Sequence, residues 1–207
     1  MKYRYIFWDW NGTLLDDVGA AMASVNDMLI LRNKSPIDID RYRECIGVPI
    51  RRFYEQVFDL DNEDYNKILD DYNRGYLHHL DNSSLTAGSI EVLDYFKNCG
   101  CSQIIVSSSN INQLKNNVKR FGIYDYFDAI IGAENYMAES KIEAAKNYIS
   151  GKEEGKILVI GDLVHDREMA DELGADCVLL TSGHENRERL SACGTPLIDK
   201  LTQIIEA

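Results

Sequence analysis

Asp9, Ser107, Lys141, Asp162 and Asp166 each end or follow a short apolar run, and their types together suit the handling of a phosphoryl group. Asp9 closes Tyr5-Ile6-Phe7-Trp8 and leads at once into Asn11-Gly12-Thr13. Such a run reads as a buried strand. Open parallel sheets place their chemistry at strand carboxyl ends, so Asp9 is a candidate nucleophile or metal ligand. Ser107 ends a second run and leads into Ser108, Lys141 stands at a helix start, and Asp162 and Asp166 lie in Gly161-Asp162-Leu163-Val164-His165-Asp166. Taken singly, each has an ordinary use: Ser107 or Asp162 as a helix cap, Lys141 as a solvated residue, Asp166 as surface charge. Together they form a set. Clustered carboxylates repel one another unless a cation lies between them. Hard oxygen ligands without a His or Cys cluster favour Mg²⁺. Mg²⁺ with a lysine, a hydroxyl and backbone amides is what a transferring phosphoryl group needs.

These residues require a scaffold that brings successive strand ends to one edge. The first strand is expected over about residues 3–9. From Asp16 to about Leu80 the pattern turns helical and holds no convincing buried strand. Tyr65, Ile68, Leu69, Tyr72 and Tyr76 follow helical spacing along one apolar stripe. Asp61, with Asp64 three residues on, marks the start of that helix, and Pro36 and Pro49 mark breaks near other starts. From Leu85 strands and helices alternate. Helices are expected over about 88–99, 111–121, from Ser140, to Gly174, and over 199–206; strands over 102–107, 129–131, 156–161 and 177–180. Ser140 and Glu143 match a capping box. The alternation predicts an α/β fold, a Rossmann-like doubly wound parallel sheet. Residues 1–15 and 82–207 make the core domain, and 16–81 an inserted all-α helical cap domain.

Composition narrows the partners. The net charge of −12 argues against nucleic acid, because phosphate backbones need clustered Lys and Arg. No apolar run approaches the roughly 20 residues of a membrane span. Asp9 interrupts the only apolar stretch near the start, which argues against a signal peptide. The five cysteines follow no framework and read as reduced thiols. The expected setting is cytoplasmic and the expected partner a small phosphorylated metabolite. His78 and His79 read as helix-surface residues that point apart.

With these motifs in order, the chain resembles the haloacid dehalogenase (HAD) superfamily, in its phosphoglycolate phosphatase-like branch with a helical cap, over essentially its whole length. Asp-x-Asp-Gly-Thr-Leu matches Asp9-Trp10-Asn11-Gly12-Thr13-Leu14 except at one position. The strand-ending Ser or Thr matches Ser107. The third motif's lysine matches Lys141, without the usual Lys-Pro-x-Pro context. Gly-Asp-x-x-x-Asp matches Gly161 to Asp166. The resemblance implies a Mg²⁺-dependent phosphatase in which Asp9 becomes an aspartyl phosphate. It implies that Ser107, the Ser108 amide, Gly12 and Lys141 hold the phosphate. It further implies that Asp9, the residue 11 carbonyl and Asp162 bind the metal, with Asp166 supporting that metal or Lys141.

The departure is Asn11, which stands where the resemblance expects a second catalytic Asp. An amide does not titrate usefully near neutral pH, so the general acid–base contribution of roughly 10²–10⁴-fold is missing. Three outcomes stay open: a slow phosphatase or one acting on a good leaving group, a dehalogenase- or phosphonatase-type hydrolase, and a binding or regulatory protein that retains the phosphate site. On the first, Asn11→Asp is expected to raise turnover. Lys34 and Lys67 are the cap lysines a phosphonatase route would need. For substrate contacts the sequence offers Arg51 and Arg52, after the Gly47-Val48-Pro49 turn, and His184 past the last core strand.

Overall fold

The structure, a computed structural model, describes residues 2–47, 49–133 and 141–206. β1 (Tyr5–Trp8) leads through a turn to β2 (Leu15–Asp16). Four helices follow: α1 (Val18–Leu31), α2 (Ile39–Cys45), α3 (Arg51–Val57) and α4 (Tyr65–Leu80). The chain returns through β3 (Ser84–Leu85) to α5 (Ser89–Asn98), β4 (Ser102–Asn110), α6 (Ile111–Arg120), β5 (Ala129–Ala133) and α7 (Lys141–Ile149). It ends with β6 (Ile157–Gly161), α8 (Val164–Leu173), β7 (Asp176–Leu180), α9 (Arg187–Ala192), β8 (Leu197–Ile198) and α10 (Gln203–Glu206).

Six strands form a parallel sheet in the order β5-β4-β1-β6-β7-β8. β1 lies inside it, with Phe7 opposite both Ile104 and Val159. Alternate strand side chains point to opposite faces, so β1 feeds two separate cores. Ile6 and Trp8 pack with Leu93, Ile105 and Leu180 on one face; Tyr5 and Phe7 pack with Val106, Met169 and Leu179 on the other. Both faces being covered explains why β1 reads as a continuous apolar run.

A third cluster lies wholly within α1–α4 and their connections, around Val25, Tyr42, Phe53, Tyr54 and Ile68. The aromatic stripe of α4 supplies part of it. That helix is capped by Asp64, whose Oδ1 accepts from Asn66 N at 2.9 Å, so the start falls at Asp64 rather than Asp61. β2 and β3 pair antiparallel, Leu15 opposite Leu85 and Asp16 opposite Ser84, and join the two chain crossings between this cluster and the sheet.

Several short elements differ from expectation. β2, β3, α9 and β8 were not legible in the sequence because two to six residues carry no usable periodicity. The last helix has 4 residues, beginning at Gln203. Gln203 Oε1 instead accepts from Asp199 N (2.7 Å) and Lys200 N (2.9 Å), holding 199–202 as a turn. The Ser140–Glu143 capping box lies outside the described residues. All five cysteines are thiols outside any disulfide, and Cys101 Sγ donates to Tyr3 O at 3.3 Å. Among the described residues no helix is long and apolar enough to cross a membrane.

Candidate active site

Asp9 follows β1 directly, and its N–H donates to Ile160 O at 2.9 Å, which fixes its backbone to the neighbouring strand end. Lys141 opens α7 and is buried beside it. Its Nζ donates to Asp9 Oδ1 (2.7 Å) and to Asp166 Oδ1 (2.6 Å). Asp166 lies in the first turn of α8, where its Oδ2 accepts from the Asp162 and Leu163 amides at 3.1 and 2.9 Å. Both Asp166 oxygens are thus engaged, one in holding Lys141 and one in shaping the loop after β6. Gly161 must be glycine here, because a Cβ would collide with the Asp166 carboxylate. Asp162 is buried, its Oδ1 accepting from Thr13 Oγ1 (2.8 Å) and its Oδ2 from His184 N (2.7 Å).

Asp9, Asp162 and Asp166 offer oxygen atoms within 4.8 Å of one another. Lys141 bonds two of these three buried carboxylates, Asp9 and Asp166, and leaves Asp162 to His184. Burial, with Asp166 nearby, pushes the Asp9 carboxyl up to about 6 against the pull of Lys141. Burial pushes Asp162 well above the usual carboxylate range, opposed by His184 and reinforced by Asp9. Lys141 is raised, because Asp166 and Asp9 outweigh its burial. A cluster short of positive charge and built from hard oxygens fits a divalent cation such as Mg²⁺.

Asn11 is held on three sides. Its Nδ2 donates to Asp17 Oδ2 (2.7 Å) and lies 2.8 Å from Tyr76 Oη, while its Oδ1 accepts from Ser109 Oγ (2.6 Å). Asp17 is the hub of this network. Its Oδ2 also accepts from Tyr76 Oη (2.7 Å), and its Oδ1 accepts from Gly12 N (2.8 Å) and faces His184 Nε2 at 3.2 Å. Burial would raise Asp17, but His184 and the hydrogen bonds from His184, Tyr76 and Asn11 hold it below the usual carboxylate range. Burial would lower His184, but Asp17 raises it to about 9. Tyr42 Oη lies 2.9 Å from the other ring nitrogen, Nδ1.

Above Asp9 lies a cavity of about 300 Å³ between the sheet edge and α2–α4. Asn11, Ser107, Ser108, Lys141 and His184 line it with Asp9. The rest of its lining is mainly tyrosine and aliphatic, Tyr42, Tyr54, Tyr72, Ile46, Ile50 and Leu69, with the neutral amides of Asn73, Asn110 and Gln113 among them. Gly12 is not among the lining residues. Its amide is turned to Asp17 and Leu15 O, and at φ +72° a Cβ would strike Asp162 and His184. Arg51 and Arg52 are exposed on α3 and do not line the cavity; Arg51 Nε pairs with Glu55 Oε1 at 3.0 Å. Their spacing after a turn signalled a helix start, and that helix turns them to solvent.

Residues 6–180 match the profile described as Haloacid dehalogenase-like hydrolase. The chain belongs to this family. It is 25% identical over 202 residues to the Phosphoglycolate phosphatase of Caulobacter vibrioides, covering 93% of this chain and 85% of that one. It is 24% identical over 219 residues to the Probable phosphatase IndB of Dickeya dadantii, covering 100% and 94%. A haloacid dehalogenase-like family hydrolase from Streptococcus pneumoniae superposes with a TM-score of 0.84 at 18% identity, over 98% of this chain and 97% of that one. Protein Tyrosine Kinase A of Mycobacterium tuberculosis superposes with 0.82 at 18% identity, over 99% and 97%. These two likenesses bear on the fold.

Within this haloacid dehalogenase-like fold the structure brings Asp9, Asn11, Ser107, Ser108, Lys141, Asp162, Asp166 and His184 to one strand edge. Sequence reasoning missed Asp17, Tyr42, Tyr76 and Ser109. The Asp16–Asp17 doublet just past the first motif was the available signal for Asp17. Tyr42 and Tyr76 carried none, because tyrosines at helical spacing read as packing. Two arginines also tie α2 to the core, and neither was foreseen. Arg43 donates to Gly183 O (3.1 Å) and Ser182 O (3.0 Å). Arg189 donates back to Arg43 O (2.7 Å) and Ile46 O (2.6 Å) and pairs with Glu185.

Proposed function

We propose that this hydrolase is a phosphatase that cleaves a small phosphomonoester in two steps through an aspartyl phosphate on Asp9. The observation that carries the reading is the Asp9 carboxylate at the cavity floor, one oxygen fixed by Lys141 at 2.7 Å, in a cluster of oxygen donors. The second Asp9 oxygen attacks phosphorus, an instance of carboxylate covalent catalysis. Ser107 and Ser108 orient the phosphoryl oxygens, and Lys141 offsets charge on nucleophile and phosphate. Asp166 holds Lys141 in place. Asp9, Asp162 and the Asn11 carbonyl would hold Mg²⁺, which supplies charge neutralisation when bound. Residues 16–81 act as a cap that excludes water from the acyl phosphate. Names of curated relatives support a phosphomonoester substrate. Lys34 and Lys67, which a phosphonatase route would need, do not line the cavity; Lys67 pairs with Asp71 at 2.7 Å.

A second reading, a phosphate-site binder with little turnover, draws on the three hydrogen bonds that commit Asn11. A phosphomonoester panel with Mg²⁺, followed by acid trapping of the phosphoenzyme, separates the two. The phosphatase reading expects steady turnover and a trapped adduct that disappears in Asp9→Asn. Binding without adduct or turnover overturns it in favour of the binder.

A further inference from the structure

We propose that the substrate is an aryl phosphomonoester, with a single ring and no second anionic group, an inference that rests on the phosphatase reading above. Two independent observations carry it.

The first is the cation inventory of the cavity. Lys141 is spent on Asp9 and Asp166. His184 is held between Asp17 and Tyr42, at both ring nitrogens. His165 Nδ1 lies 2.9 Å from Glu168 Oε2. Arg43, nearby on α2, is not among the lining residues and is committed to two backbone carbonyls of the core. Residues 134–140, Glu-Asn-Tyr-Met-Ala-Glu-Ser, contribute no Lys, Arg or His by sequence. A carboxylate on the substrate's far end would therefore lie among tyrosines, apolar side chains and neutral amides without a counter-charge, a costly burial. An uncharged ring suits the same wall. Tyr72 and Tyr76 stack with centroids 5.8 Å apart at 16°, and Tyr54 meets Tyr72 edge to face at 6.1 Å and 69°. Ring faces and edges of this kind accept a further ring. A cavity of about 150 Å³ holds a benzene molecule, so about 300 Å³ leaves room for one ring and its phosphoryl group.

The second observation is the leaving-group side. Asn11 releases no proton, and its amide is fully committed. An alkoxide, the conjugate base of an acid about as weak as water, needs protonation to leave. A phenoxide, with a conjugate acid near 10 as in tyrosine, leaves unassisted far more readily. In the first step the Asp9–phosphorus bond forms as the phosphorus–aryloxide bond breaks. The aryloxide takes the electron pair and later a proton from water. In the second step water attacks phosphorus, Asp9 recovers its carboxylate, and the water proton passes to solvent. Nothing is oxidised or reduced.

The test uses the full chain with Mg²⁺ and four esters: phenyl, benzyl and acetyl phosphate, and 2-phosphoglycolate. Phenyl phosphate should exceed phosphoglycolate in kcat/KM by at least about a hundredfold, in line with the discrimination a site gains from an unpaired polar group. Benzyl phosphate, whose leaving group needs a proton, should show a far lower kcat/KM than phenyl phosphate, and acetyl phosphate should show a high KM. Asn73→Arg, which adds a cation to the wall, should lower the KM for phosphoglycolate. Phosphoglycolate preferred by the wild type, or benzyl phosphate equal to phenyl phosphate in kcat/KM, overturns the inference and leaves the phosphatase reading intact. Binding of phenylphosphonate and phosphonoacetate, measured by intrinsic fluorescence, separates the other failure. No turnover of any ester, with phenylphosphonate bound more tightly, overturns the phosphatase reading and supports the selectivity. Phosphonoacetate bound more tightly overturns the selectivity.

Discussion

Asn11→Asp is the substitution that the motif alone invites, and Asp17 changes its expected result. The Asn11 amide nitrogen lies 2.7 Å from Asp17 Oδ2. A carboxylate oxygen placed there would face a buried carboxylate at the same separation. With an effective dielectric near 20, two unit charges at that distance repel by about 6 kcal/mol, or about 4–5 pKa units. The new carboxyl would then titrate near about 8 instead of about 4 and stay protonated at neutral pH. Because the unfolded chain carries it ionised, folding loses about 4 kcal/mol at about pH 7, and nothing below about pH 4. The single variant should therefore unfold earlier in urea near neutrality and recover on acidification. It should gain little turnover, since its proton is shared with Asp17. The double variant Asn11→Asp/Asp17→Asn keeps one carboxylate and one amide in contact. It should regain most of the stability and raise alkyl phosphate turnover toward the roughly 10²–10⁴-fold of general acid–base catalysis. An Asn11→Asp protein as stable as wild type at neutral pH, with a full rate gain of its own, would refute this reasoning.

Further outcomes follow from the same network. His184 stabilises the fold fully below its ordinary 6.5, and that contribution fades as pH rises through about 9; Asp17 contributes above the usual carboxylate range and fades on acidification. The difference in Tm between wild type and His184→Gln should thus be constant from just above the carboxylate range to about pH 6.5, shrink toward pH 9, and shrink again on acidification as Asp17 takes up its proton. Asp9, raised to about 6 by burial, makes the metal-free protein lose stability as pH rises from about 4 to 6. Mg²⁺ favours the ionised form and should flatten that slope, with EDTA restoring it in the same thermal scans. Arg43→Ala with Arg189→Ala removes the four hydrogen bonds to backbone carbonyls between α2 and the core. Limited proteolysis should then cut the connections around α2 faster, and KM should rise more than kcat falls.

The fold was legible wherever an element was long enough to show its period. β1, β4 and β6 are covered on both faces and announce themselves as apolar runs, and α4 shows its stripe over four turns. β2, β3 and β8 have two residues each, which no periodicity can reveal. In the site, the residues that end strands were legible because topology alone brings them together. Asp17 was not, because its role comes from a fold-back that sets its carboxylate against Asn11, Gly12, Tyr76 and His184. The two arginines chosen from sequence were a charge argument without direction. The helix that carries them turns them outward, and the arginines that do bridge α2 and the core, Arg43 and Arg189, bond to carbonyls rather than to charges. Asn11 stands out in the sequence against the motif it resembles, and its surroundings depend on Asp17, a neighbour that only the folded chain supplies.

The short ladder between β2 and β3 has a consequence for how this architecture diversifies. It clamps the two chain crossings beside each other, so whatever lies between them begins and ends at one place in the core. The entropy of closing that loop grows only with the logarithm of its length, about 0.6 kcal/mol for each doubling. Its apolar side chains settle among themselves, around Phe53 and Tyr54, with little demand on the sheet. The chain between Leu15–Asp16 and Ser84–Leu85 can therefore change length at small entropic cost, provided any replacement supplies the partners that Asp17, Tyr42 and Tyr76 give to Asn11 and His184 here.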